Sequence, residues 1–134
     1  MKLKIFTIAT ISAILLTACG SSGNTSLNGT SWELVSIDGQ APVKGSRITL
    51  IFEDGQASGN SGCNHYGGEY KVRGNKIEFG GFMSTLMACA DAAIGNQEAR
   101  YLELLGNAQS FEFADGQLQV YGSGNEALTF VPMQ

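Results

Sequence analysis

The stretch SGNSGCNHYGG, residues 58–68, holds four glycines, two asparagines, one cysteine and the chain's single histidine. Four kinds of chemistry use such residues. A phosphate cradle needs G-x-G-x-x-G or a P-loop with its lysine and hydroxyl. Gly59, Gly62, Gly67 and Gly68 match neither pattern, and no helix start follows to offer its amino-terminal dipole. A zinc centre could draw on Cys63, His65 and Cys89, yet structural zinc almost always takes four ligands and no second histidine is present. A thiol nucleophile could pair Cys63 with His65, which share a face if both lie on a strand. It would still need a lowered thiolate pKa and an orienting group. The fourth reading is a tight corner in a β-protein, with Gly and Ser allowing a sharp bend and Asn60 and Asn64 hydrogen-bonding the local backbone or adopting left-handed conformations. The corner accounts for more of the residues, so the expectation is architecture, with no catalytic residue and no metal site.

Other side chains carry a structural and a functional reading. Trp32 suits a core anchor of the first strand or a ligand-stacking surface. Phe82, Met83, Leu86 and Met87 form an apolar cluster beside Gly80 and Gly81. It either packs the interior or, since methionine adapts to varied partners, recognises something at the surface. Trp32, Phe82, Met83 and Met87 are therefore the candidate binding surface. Glu98 reads as a first-turn acid favoured by the helix dipole, or as a site residue.

The elements that must position these residues are mostly strands. Asp-Gly-Gln occurs at 38–40, 54–56 and 115–117, and Asp-Gly favours the type I′ turn of two-residue hairpins. Arg73-Gly74-Asn75 and Gly122-Ser123-Gly124-Asn125 supply further turns. Between them run alternating sets: Ile48, Leu50 and Phe52; Tyr70 and Val72 answered by Ile77 and Phe79; Leu118 and Val120 answered by Leu128 and Phe130. Short strands at this spacing predict a sandwich or barrel. One segment departs from the pattern. Between Asp91 and Leu105, Ile94, Tyr101, Leu102 and Leu105 fall at helical spacing, with Asp91 or Asn96 as cap and Gly106 as the C′ glycine. The helix is expected to lie over a barrel mouth or face.

The chain's start reads as an address. Lys2 and Lys4 precede the apolar run 5–16, too short for the roughly 20 apolar residues of a spanning helix. Leu16-Thr17-Ala18-Cys19 follows and resembles a bacterial lipobox in all four positions. That resemblance implies a signal peptide over residues 1–18, cleavage before Cys19, and a diacylglyceryl and amide-linked acyl anchor (palmitate-type) on Cys19. Each buried methylene adds about 0.8 kcal/mol of anchoring. Gly20 at the next position favours the periplasmic side of the outer membrane over the inner membrane. Residues 19–26 form a small polar tether, leaving one domain over 27–134. Without Lys2 and Lys4 the chain keeps 6 basic and 12 acidic residues, a net charge of −6. Its Lys and Arg are scattered, which argues against nucleic acid as a partner. With Cys19 lipidated, Cys63 and Cys89 remain, and export favours a disulfide between them.

These residues together resemble the META domain, also known as the heat-shock protein HslJ-like domain. The likeness is carried by LNGTSWEL at 27–34, SGNSGCNHYGGEY at 58–70, STLMAC at 84–89, then Glu98, Tyr101 and Leu105, and finally Leu118, Val120, Leu128 and Phe130. It implies a mainly β, α+β fold: a small antiparallel lipocalin-like barrel with one helix. It also implies a bacterial envelope protein associated with stress, with no agreed activity and no catalytic residues to carry over. The expected function is a non-enzymatic, lipid-anchored envelope module acting through protein or envelope contacts in stress tolerance. The alternative is a barrel carrier for a small apolar ligand. No cofactor is expected.

Overall fold

The computed structural model describes residues 26–134. The signal segment, the lipobox and Cys19 lie outside them. The strands are β1 (Thr30–Ile37), β2 (Thr49–Glu53), β3 (Gln56–Asn60), β4 (His65–Arg73), β5 (Lys76–Phe79), the two-residue β6 (Met83–Ser84), β7 (Ser110–Ala114), β8 (Gln117–Tyr121) and β9 (Ala127–Pro132), with α1 (Ala92–Gly106) between β6 and β7. All pairings are antiparallel. Following them gives β1–β2–β3–β4–β5–β7–β8–β9, and β9 pairs back onto β1, so eight strands form a closed ring and β6 adds beside β4. The mainly β architecture with one helix is the one that the turn spacing and the helical periodicity between Asp91 and Leu105 imply.

All three Asp-Gly turns have the geometry their residues favour. Asp38, Asp54 and Asp115 take φ of 50°, 49° and 52°, and the glycines after them 80°, 79° and 75°. Two successive positive φ values define type I′, whose twist matches that of the flanking strands. At the β4–β5 hairpin Gly74 alone has positive φ, 62°, which fits type II′ with glycine first. The sequence pairings hold as well: Tyr70 faces Phe79, Val72 faces Ile77, Leu118 faces Phe130 and Val120 faces Leu128.

Alternation sends one face of each strand into the ring. Leu50, Phe52, Leu118 and Phe130 are wholly buried there, each contributing about 1.5–3 kcal/mol by leaving water. Trp32 is core too, 7% exposed, stacked near Phe113 with centroids 5.7 Å apart and its indole N–H donating to Thr30 Oγ1 at 2.7 Å. The ring is thinnest between β5 and β7, joined by the Lys76–Ser110 pair and by Ile77 N–H and Phe111 N–H donating to the Gln109 and Asn75 carbonyls.

The helix lies across one mouth. Asp91 caps it by accepting from Ala93 N–H at 2.7 Å. Its far end differs from the sequence expectation: Gly106 is the last helical residue and Asn107 the cap, with φ −98°, so no left-handed glycine terminates it. Tyr101, Leu104 and Leu105 are buried against the ring, with Tyr101 near Tyr66 and Phe130. Gln97 ties the helix to the β1–β2 loop, its amide oxygen accepting from Val43 N–H at 2.6 Å and its amide nitrogen donating to Ser46 Oγ at 2.8 Å.

Candidate functional site

The β3–β4 turn is residues 61–64, at the centre of the glycine-rich stretch, and two glycines are indispensable to it. A Cβ on Gly59 would stand 2.0 Å from the Thr49 carbonyl oxygen, because β3 passes hard against β2 there. Gly62 has φ 120°, a conformation that side chains with a Cβ rarely adopt. Asn60 supports the bend as expected, its Oδ1 accepting from Gly62 N–H at 2.8 Å. Neither Asn60 nor Asn64 takes a positive φ, which corrects the left-handed expectation for both.

Asn64 instead points away from its own turn and is buried. Its Oδ1 accepts from Met87 N–H at 2.7 Å and Thr85 Oγ1 at 2.9 Å, while its Nδ2 donates to Met87 O at 3.2 Å and Glu98 Oε1 at 2.6 Å. One amide thereby splices the turn, the strap of residues 83–89 and the helix. Glu98 completes the junction. Its Oε2 accepts from Ser61 Oγ at 2.6 Å, Asn64 N–H at 2.7 Å and Cys63 N–H at 3.1 Å. Burial pushes this carboxyl upward, but the hydrogen bonds from Ser61, Asn64 and Cys63 outweigh it and hold the group below the ordinary carboxylate range. The first-turn reading of Glu98 therefore fails: it sits in the second turn, and its partners are loop donors.

Cys63 and Cys89 form the expected disulfide, Cα atoms 5.7 Å apart, adding a covalent tie between turn and strap. Cys63 belongs to the turn and not to a strand, so it does not share a strand face with His65, and the paired thiol–imidazole geometry is not made. His65 opens β4 and is exposed; its backbone N–H donates to Thr85 Oγ1 and its carbonyl accepts from Thr85 N–H. Beneath the junction Tyr101 donates to the Tyr66 hydroxyl at 2.6 Å, and Tyr66 donates to Thr49 O at 2.8 Å. Burial holds both phenols protonated, far above their ordinary value.

The apolar cluster divides. Phe82 packs edge-on to Tyr66 and against Phe79, centroids 5.3 and 5.4 Å apart. Met83, Leu86 and Met87 do not pack the interior; they are 82%, 94% and 58% exposed. Of the candidate binding surface, then, Met83 and Met87 lie outward with Leu86 between them, Phe82 is half-buried beneath, and Trp32 is in the core on β1. Three of the scattered cations also come together. Lys71, Arg73 and Lys76 line one cleft of about 370 Å³ with Glu78 and Gln109.

The family model described as META domain matches residues 25–134. An NMR structure of a protein from Burkholderia xenovorans is 31% identical, with a TM-score of 0.67 over 81% of this chain and 84% of that one. A second NMR structure, 23% identical, covers 78% of this chain and 90% of its own at a TM-score of 0.64. The crystal structure of a DUF4847 family protein from Bacteroides vulgatus shares the fold, with 14% identity and a TM-score of 0.58 over 78% of this chain and 93% of that one. A search of curated proteins gives no match.

Proposed function

The chain belongs to the META domain family, and from that premise we propose that it is a non-enzymatic, lipid-anchored envelope module that supports stress tolerance through contacts with envelope proteins. The observation that carries this reading is the strap. Three large apolar side chains, Met83, Leu86 and Met87, face water on a segment pinned by Asn64, Thr85 and the Cys63–Cys89 bond. A loop held this rigidly loses little entropy on docking, which favours a contact surface. The polar groups beside it are engaged with one another, so the junction reads as a brace for the strap. The lipobox at Leu16–Cys19 supplies the anchor in this reading.

The carrier reading draws on one feature outside the filled ring: a cleft of about 470 Å³ between the β5–β6 bend and α1, lined by Phe79, Phe82, Leu102 and Gly106 among others. Its size falls in the range of small-molecule sites, roughly 300–1,000 Å³.

Complementation separates the two. A strain lacking the gene is given the wild type or a Met83→Asp/Leu86→Asp/Met87→Asp variant and exposed to heat and envelope stress. The variant is expected to fold, to fractionate like wild type, and to fail to restore tolerance. Full restoration overturns the contact reading, and a stoichiometric apolar metabolite in native mass spectra of purified protein would favour the carrier.

A further inference from the structure

We propose that reduction of the Cys63–Cys89 bond uncovers a site for a zinc-like divalent cation, held by the two thiolates and the Glu98 carboxylate. The ligand atoms of these three residues already lie within 4.8 Å of one another. In a tetrahedral site with metal–sulfur bonds of about 2.3 Å and metal–oxygen bonds of about 2.0–2.2 Å, neighbouring ligand atoms stand about 3.5–3.8 Å apart. Separating the two sulfurs to that spacing needs side-chain rotation at Cα atoms 5.7 Å apart, with the turn and strap kept in place by Asn64 and Thr85. His65 is not part of this set.

The carboxylate is prepared for the role. Its Oε2 takes three donors, while Oε1 takes only Asn64 Nδ2, leaving acceptor capacity on Oε1. Hydrogen bonds behind a ligating carboxylate orient it, as outer-shell partners do at metal centres. All three residues are half-buried, so both a reductant and an ion can reach them. Cys63 Sγ also lies 3.7 Å from Met87 O, an approach that becomes a thiol hydrogen bond only after reduction. Two thiolates, one carboxylate and a water make a four-coordinate set with one open position, which suits zinc or cobalt better than calcium or magnesium.

The chemistry balances in two steps. A dithiol reductant transfers two electrons and two protons to the bond, becoming a disulfide itself and leaving Cys63 and Cys89 as thiols. The cation then displaces the two thiol protons, so binding strengthens as pH rises. In the oxidised protein neither sulfur is an anionic ligand and the site is closed.

The test uses the full domain, reduced with a phosphine and titrated with Co²⁺, then Zn²⁺ in competition. Reduced wild type is expected to bind one Co²⁺ with a sulfur-to-cobalt charge-transfer band, and oxidised protein to show none. Cys63→Ser/Cys89→Ser under the same reductant should lose the band and at least about 100-fold in affinity, and Glu98→Gln at least about 10-fold. His65→Ala should stay within about twofold. Circular dichroism checks that each variant is folded. If Glu98→Gln does not fold, zinc-edge absorption of reduced wild type decides, with two sulfurs and light-atom ligands expected. A band unaffected by the serine pair, a shell without sulfur, or a folded Glu98→Gln variant with wild-type affinity overturns the proposal.

Discussion

The Glu98 carboxylate ties the helix to the β3–β4 turn. Glu98 lies four residues after Ile94, three before Tyr101 and seven before Leu105, so it occupies the helix's apolar stripe. A charge in that position needs donors, and Ser61, Cys63 and Asn64 provide them. That anomaly was legible in the sequence, since the periodicity that marks the buried face also marks the acid within it. The identity of the donors was not legible, because nothing local links residues 61–64 to a helical residue 34 to 37 positions away. Glu98→Gln is expected to cost about 2 kcal/mol or more, since it removes charge-assisted bonds and sets an amide against existing donors. Equilibrium urea unfolding measures it. The same group sets an acid limit. Its folded pKa lies below its unfolded one, so its contribution is present above the ordinary carboxylate range and is lost as pH falls through the folded value. Wild type should lose stability over that acidic window more steeply than Glu98→Gln, and parallel curves would refute the linkage.

Turns and strands were the most readable elements, because each rests on contacts near in sequence. Asp-Gly at three turns needs only its own backbone to adopt type I′. The strap was harder. Phe82, Met83, Leu86 and Met87 look alike by hydropathy, and only the long-range splice through Asn64 determines which of them face water. The glycine-rich corner shows in the composition, but the reason for Gly59 is tertiary: the Thr49 carbonyl occupies the place of a Cβ. Gly59→Ala should therefore destabilise far more than an average substitution, by about 3 kcal/mol or more, because backbone must move on both strands. Gly81→Ala, with nothing within 4 Å, serves as its control. Calorimetry that finds the two equal would contradict this packing. The disulfide closes a loop spanning 26 positions and is worth about 3–4 kcal/mol in the chain-entropy picture. Reduction in chelator should lower the melting temperature by on the order of 10 °C while far-UV circular dichroism stays β-rich. Alkylation of both cysteines in protein isolated without reductant would remove the bond from consideration.

At the scale of the whole molecule, the proposed anchor can be tested apart from the fold. Among the described residues the core begins at the buried Leu27, after the segment 19–26. Cys19→Ser should accordingly shift the protein from the membrane fraction to a soluble one with its melting temperature unchanged. Membrane fractionation with intact acylation in that variant would overturn the lipobox reading. The ring adds a consequence of its own, through the pairing of its first strand with its last. Trp32 faces Pro132 and Leu34 faces Phe130, so β1 has no neighbour on that side until β9 is available. A polypeptide emerging from its amino end can form the β2–β3–β4 hairpins early, but cannot complete the cylinder. Closure of the ring therefore waits for β9. A chain that lacks β9 keeps β1 as an open edge and an incomplete ring around its core.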